Sequence, residues 1–334
     1  MTKLSLNKII IFLVISLLIA GGFYFFNLRE RIAEKEKVIT EISKSEKKIE
    51  EIKIGFITDI HGYTSSHANG NIRDKSRRGL ENFIKHVNEN YHPNFIIDGG
   101  DLIEGTRREG EKSFNDWKLL MSFFSKINLP IYHVIGNHER RGLTKNQWLE
   151  LNNYKNTYYF FDYNDLRVIV LDGNEDDETE DNGIYDYQMT DKQLEWLEEK
   201  LSSAQNMRKI VFIHYPVILK LSSATNKPLA VDQASKLKEL FAKYRVMAVF
   251  SGHVEILEMS ELDGVSYFIL PGQERSEDKT FRWLESFSEI SVKEEVKIKL
   301  YYKTDASEEY RIINIPSDEY NKVEETYREK GNMK

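Results

Sequence analysis

The sequence predicts an α/β domain in which strand–helix units come first and strands alone come last. Three observations predict it. Short, continuous apolar runs alternate with segments of helical periodicity from Lys53 to about Gly252, the pattern of buried strands joined by helices. From "GVSYFILPG" onward the chain reads as strands only. Each apolar run of the first part ends in His, Asp, Asn or Glu, and in open α/β sheets the carboxyl ends of strands gather at one edge, where ligands bind.

Residues 1–8 form a short tail. Ile9 to Phe26 then reads "IIIFLVISLLIAGGFYFF", eighteen residues without a charge. That length spans a bilayer and exceeds the usual apolar region of a signal peptide. The segment is expected to be an uncleaved transmembrane anchor, with a cleaved signal peptide as the second reading. The leading Lys3 and Lys8 resemble a signal anchor, which puts the main domain on the extracytoplasmic face; the Lys and Arg residues after the span argue the other way. Residues 27–52 lack Gly and Pro, are rich in Glu and Lys, and predict a solvated helical stalk.

The domain itself is expected over 53–315. "IKIGFITD" is a buried strand. "GLENFIKHVNENY" sets Leu80, Phe83, Ile84 and Val87 on one helical face, and "WKLLMSFFSKI" does the same with Trp117, Leu120, Met121 and Phe124. "PNFIIDGGD" and "PIYHVIGNHE" are strands, and "TYYFFDYNDLRVIVLDG" is a hairpin turning at Asn164-Asp165. Thr190 and Gln193 make a capping box for the helix of Leu194, Leu197 and Leu201. "KIVFIHYP", the helix "ASKLKELFAKY" and "VMAVFSGH" follow, then "FSEISVKEEVKIKLYY" as strands. Residues 316–334 are expected to be a polar tail.

With 334 residues, 40% of them hydrophobic, the chain can bury a sizeable core. It has no cysteine, which excludes disulfides, thiolate metal sites and cysteine nucleophiles. Its net charge of -7 offers no basic surface to nucleic acid, so no nucleic-acid partner is expected.

The strand ends supply Asp59 and His61, Gly100-Asp101, Gly136-Asn137-His138-Glu139, His214, and Gly252-His253-Val254-Glu255. These oxygen and nitrogen donors suit Mn, Fe, Zn or Mg. The order D-x-H, G-D, G-N-H-[DE], H, G-H-x-H resembles the calcineurin-like metallophosphoesterase superfamily across residues 53–255. The resemblance implies a four-layer α/β/β/α sandwich holding two divalent metals, with Mn favoured. It implies that Asp59 and His61 hold the first metal, that Asp101 bridges both, and that Asn137, His214 and His253 hold the second. It also implies that His138 donates a proton or hydrogen bond to the leaving oxygen, that Glu139 orients that imidazole, and that a metal-bridging hydroxide attacks a phosphomonoester, phosphodiester or diphosphate.

The family's last motif ends in a second His, where this chain has Glu255. As a ligand of the first metal, Glu255 adds an anionic oxygen in place of a neutral nitrogen and favours Mn or Mg over Zn. Two residues apart on extended chain, His253 and Glu255 would point the same way. Arginine pairs at 77–78, 107–108 and 140–141 follow metal motifs. Helix starts on a charged surface carry arginine freely, yet one pair is expected to touch substrate, with Arg107, Arg108 and Arg140 the candidates. His133 is expected in the core. "GTRREGEKSFNDWKLLMSFF" is loosely similar to the branch acting on cyclic nucleotides and ADP-ribose-like diphosphates. A membrane stalk also suits cell-surface phospholipid head groups, wall polymers or extracellular nucleotides. The alternative is a degenerate family member acting as a membrane-tethered binding or scaffold protein.

Overall fold

The computed structural model describes residues 22, 24–37, 49–64, 74–105, 110–174, 187–220, 231–273, 283–304 and 307–329. Two compact units divide at residue 50. In the first, residues 24–37 form a helix, α1, with Leu28 and Ile32 exposed. This helix covers the end of the expected anchor and the first part of the expected stalk; 38–48 lie outside the described residues. The apolar stretch 9–26 lies almost wholly outside them too. Among the described residues no helix is long and apolar enough to cross a membrane.

The second unit contains two six-stranded sheets. In the first sheet β1 (Ile52–Ile57), β2 (Phe95–Asp98) and β3 (Ile131–His133) run parallel, while β10 (Leu284–Val292), β11 (Val296–Thr304) and β12 (Ser307–Ile315) extend it as an antiparallel meander, in the order β12-β11-β10-β1-β2-β3. In the second sheet the order is β4-β5-β6-β7-β9-β8, where β5 (Leu166–Leu171), β6 (Arg208–Ile213), β7 (Ala248–Ser251) and β9 (Val265–Ile269) are parallel. The edge strands β4 (Tyr159–Tyr163) and β8 (Glu258–Leu262) are antiparallel. Strands covered on both faces need apolar side chains on both, which is why the parallel strands read as unbroken apolar runs.

Ile54, Phe56, Phe95 and Ile97 of the first sheet share one core with Val168, Ile210, Phe212, Phe250 and Phe268 of the second. Phe56 stacks on Phe212 at 5.9 Å, and Phe212 on Phe250 at 4.9 Å, so aromatic rings join the two sheets face to face. The outer face of the first sheet is covered by α2 (Asp74–His86), α3 (Gly110–Phe124) and α5 (Lys145–Asn152), burying Leu80, Phe83, Trp117, Leu120 and Trp148. The outer face of the second is covered by α6 (Asp191–Ser202) and α7 (Val231–Lys243) through Leu194, Leu197, Leu201, Leu237 and Phe241. The layering is therefore helix, sheet, sheet, helix. The hairpin turns at Asn164-Asp165 as expected, with Asn164 at φ 53°.

The sequence reading missed α5, although Thr144 and Gln147 form a capping box at its start. The tail expected after Ile315 needs correction. Residues Asp318–Glu329 form helix α8, with Tyr320 and Val323 buried in the inter-sheet core. The Tyr320 hydroxyl accepts from Met259 N–H (2.7 Å) and donates to the Met259 carbonyl (3.2 Å), fastening α8 to edge strand β8. Two buried side chains per helix are too few to raise an apolar period, so the segment reads as polar.

Tyr320→Ala should therefore cost about 3 kcal/mol through the cavity it leaves, and Tyr320→Phe about 1 kcal/mol through the lost hydroxyl. Urea denaturation of the three proteins measures both; midpoints equal to wild type would mean that α8 is not docked in solution.

Candidate metal centre

The site is built from the loops that follow β1, β2, β3, β6 and β7. Five of its residues hold left-handed backbone: Asp59 (φ 50°), His61 (47°), Asp101 (52°), His253 (66°) and Glu255 (54°). Such a conformation costs a residue with a Cβ of order 1 kcal/mol. Hydrogen bonds between loops hold it in place. The Asp59 N–H donates to the Gly100 carbonyl (2.9 Å), that of His61 to the Asp101 carbonyl (3.0 Å) and that of Gly62 to the Leu102 carbonyl (2.9 Å). The His253 N–H donates to both carboxylate oxygens of Asp59, at 3.1 Å each.

This corrects the expectation from extended geometry. β7 ends at Ser251, and His253 and Glu255 reach the cluster through a turn with two left-handed residues, not through strand alternation. Gly252 makes the turn possible, since a Cβ there would lie 2.2 Å from Asp59 Oδ2.

Three groups of ligand-capable atoms result among the described residues. Asp59, His61 and Asp101 form the first, Asp101, His214 and His253 the second, and His61, Glu104 and His138 the third, each with its atoms within 4.8 Å of one another. Glu255 Oε1 lies 3.3 Å from His61 Nε2 and so borders the first. Asp101 belongs to the first two. Its Oδ1 accepts from the His138 N–H (2.7 Å), and its Oδ2 lies 3.1 Å from His214 Nε2. His214 donates through Nδ1 to the Gly99 carbonyl (2.9 Å), which leaves Nε2 facing Asp101. Asn137 lies between His253 and Arg141, its Nδ2 donating to His253 Nδ1 (2.9 Å) and its Oδ1 accepting from the Arg141 guanidinium (3.1 and 3.2 Å).

These residues fit a pair of divalent cations. Asp59, Asp101 and Glu255 are all buried. Among the described residues, neither ring nitrogen of His61 nor Glu255 Oε2 makes a hydrogen bond, although all three atoms are buried. Burial disfavours a charged His61, yet Glu255, Asp101 and Asp59 together push its pKa up to about 10. Burial in turn pushes Glu255 up to about 7, against the pull of His61 and with Asp59 and Asp101 adding to the rise. The cluster concentrates negative charge and draws any available proton; a divalent cation answers the same demand. Donors of oxygen and nitrogen alone suit Mn, Mg, Fe or Zn.

His138 sits beside this cluster on α4 (Asn137–Gly142), its ring 4.4 Å from that of His61. Its Nδ1 donates to the Glu104 carbonyl, and its Nε2 accepts from Arg141 at 2.8 Å. Burial pushes its pKa down to about 4, against Asp101 and with the charges of His61 and Arg141 adding to the fall. Glu139 does not orient the His138 ring, contrary to expectation. Its carboxylate accepts from the N–H groups of Asp101 (2.8 Å), Gly136 (2.8 Å) and Ile103 (3.1 Å), and so pins the second loop to the third. The Glu104 carbonyl takes the role expected of Glu139.

Among the arginines, Arg141 rather than the expected Arg140 meets His138 and Asn137. Arg107 and Arg108 lie outside the described residues. Arg77 pairs with Glu81 and Arg78 with Glu285, as surface residues of α2 do. His133 is in the core, its Nδ1 donating to Asp98 Oδ2 at 3.0 Å. The sequence reading missed Glu104 and Thr58, whose hydroxyl donates to Asp59 Oδ2 at 2.6 Å.

The family model for calcineurin-like phosphoesterases matches residues 52–255. The chain belongs to this family. Curated relatives include a probable glycerophosphodiester phosphodiesterase of Arcobacter nitrofigilis, 25% identical over 53% of this chain and 62% of that protein. Another is a manganese-dependent ADP-ribose/CDP-alcohol diphosphatase of Arabidopsis thaliana, 26% identical over 52% of this chain and 68% of that protein. The chain thus spans less than two thirds of the first relative's length. A dimetal phosphatase from Danio rerio shares the fold with a TM-score of 0.61, at 15% identity, covering 79% of this chain and 98% of that one.

Glu139→Ala strips the acceptor from three backbone N–H groups at once and should cost about 3 kcal/mol or more. Glu139→Gln keeps an amide oxygen and should cost less. Thermal denaturation checks the order; a Glu139→Ala midpoint within error of wild type would mean that the three bonds do not hold the loops.

Proposed function

We propose that this calcineurin-like protein is a metal-dependent phosphoesterase that hydrolyses a phosphodiester or a diphosphate, with Mn the favoured metal. The observation that carries the reading is Asp101, a buried carboxylate shared by two groups of ligand-capable residues. Asp59, His61 and Glu255 would complete the first cation site with it, and Asn137, His214 and His253 the second. Two divalent cations supply Lewis acidity, acidifying a water and neutralising phosphoryl oxygens. The rest falls to the chain's own residues. Asp101 is fixed by the His138 N–H, so its carboxylate keeps its aim. His214 is fixed by the Gly99 carbonyl. His138, held at Nδ1 by the Glu104 carbonyl, turns Nε2 towards Arg141 and would give a proton to the leaving oxygen after taking one up at that atom. Arg141, a permanently charged fork beside that Nε2, suits a phosphoryl oxygen or a second anionic group.

The diester and diphosphate activities named for the two curated relatives support this substrate class. Nucleotides, phospholipid head groups and wall polymers fall within it. An anchor at 9–26 would hold the enzyme at a membrane, facing outward. Against the alternative of a degenerate scaffold stands the position of Glu255, its Oε1 3.3 Å from His61 Nε2 beside the charged cluster.

A panel of phosphodiesters, diphosphates and monoesters assayed with added Mn tests the activity; no turnover in a protein that binds two ions would overturn it. His138→Ala should keep both ions and lose about 100- to 10,000-fold in turnover on poor leaving groups, with less loss on a nitrophenyl ester. Loss of an ion in that variant would show the role to be misassigned. Glu255→Gln should weaken Mn binding, and Glu255→His should shift preference towards Zn or Fe. Equal Mn affinity in wild type and Glu255→Gln, as read by calorimetry, would make Glu255 a bystander.

A further inference from the structure

Glu104 stands three residues beyond Asp101, in the loop after β2, and touches both halves of the site. Its carbonyl accepts from His138 Nδ1. Its carboxylate reaches the same two imidazoles, with Oε2 3.6 Å from His61 Nδ1 and Oε1 3.8 Å from His138 Nδ1. The backbone around it is tied to His61's own loop, because the Glu104 N–H donates to the Gly62 carbonyl (3.2 Å) and the Gly62 N–H to that of Leu102 (2.9 Å). Gly105 lets the loop press against α4. It holds φ 58°, and a Cβ there would lie 1.9 Å from the His138 carbonyl oxygen. The loop is therefore shaped to bring Glu104 against the two rings.

His61 shows what the carboxylate is for. Its ring is buried with neither nitrogen hydrogen-bonded among the described residues. A histidine that gives one nitrogen to a metal ordinarily donates the other N–H to a carboxylate or carbonyl, which fixes the tautomer and raises the basicity of the ligating atom. His61 Nε2 faces Asp59 and Glu255, while Nδ1 faces Glu104. The 3.6 Å separation is an ion-pair distance that a small torsion of the Glu104 side chain, 32% exposed, turns into a hydrogen bond.

We propose that Glu104 is the positioning residue of the first cation site. Its carboxylate accepts a hydrogen bond from the Nδ1–H of His61 and so commits the Nε2 lone pair to the cation. The proposal rests on the two-cation reading given above.

The test is a calorimetric titration of the full chain with Mn ions alone, for wild type, Glu104→Ala and Glu104→Gln. Wild type should bind two ions. In Glu104→Ala one of the two should bind about 10- to 100-fold more weakly, the usual effect of removing a partner behind a ligand, while the other keeps its affinity. Glu104→Gln, whose amide oxygen still accepts from Nδ1, should lose less. A merely structural residue would lower the melting midpoint and leave this ordering absent, so the midpoint is recorded with each titration. If Glu104→Ala lost its fold, Glu104→Gln would carry the comparison against wild type. Two ions bound by both variants with wild-type affinities would overturn the role of Glu104 and leave the cation sites standing. A wild-type protein that binds no Mn would overturn the two-cation reading and this proposal with it.

Discussion

Three carboxylates, Asp59, Asp101 and Glu255, lie buried in one cluster, and the architecture around the site is organised by the need to balance them. Water would solvate such charges at no cost, and the protein interior does not. The chain meets the demand in layers. Backbone N–H groups of His253 and His138 point at Asp59 and Asp101. The Thr58 hydroxyl adds a donor to Asp59. Imidazoles of His61 and His214 stand close enough to hold protons or cations. What remains unbalanced is what a divalent ion would supply.

Meeting that demand shapes the backbone. A carboxylate that receives N–H groups from a neighbouring loop needs that loop to turn sharply, and left-handed residues provide the turns. Asp59, His61, Asp101, His253 and Glu255 pay for their conformation with the bonds that cross between loops. Glu139 serves the same end from beneath, joining the loops of Asp101 and Asn137 through three N–H groups. Rigid sheets set the distance between strand ends; the strained turns set the direction of each side chain. Neither alone would bring side chains from residues 59 and 255 into one cluster.

This division explains what could be read from the sequence. The donor types and their order were legible, because Asp, His, Asn and Glu stand at the ends of apolar runs, and the carboxyl ends of strands in α/β sheets gather at one edge. The layers were legible too, because Phe56, Phe95 and Phe212 sit in unbroken apolar stretches that only doubly covered strands carry. Glu104 was not legible, because half of its contribution is a backbone carbonyl, which any residue has. Arg141 was passed over for Arg140 because the choice depends on which face of a six-residue helix meets His138, and a helix that short has no period to read. Glu139 was given the wrong partner because adjacency in sequence suggested His138, while the turn at Gly136 aims the carboxylate at backbone instead. Helix α8 hid behind its polarity, with Tyr320 and Val323 as its buried anchors.

The pairing of β1 with β10 has a consequence for the birth of the protein. β1 begins the domain, and its outer edge is closed by β10, with Ile52 opposite Val292. On the ribosome, β1, β2, β3, β6 and β7, whose following loops carry the candidate ligands, emerge well before β10 exists. Until then β1 carries a row of open N–H and C=O groups, a template for wrong pairing. Contacts so distant along the chain close slowly, and nascent chains with open strand edges are what chaperones attend. The same late strands carry none of the candidate ligands. Their work is to finish the sheet that holds the first of those residues in place, so the site waits on a part of the chain that contributes no side chain to it.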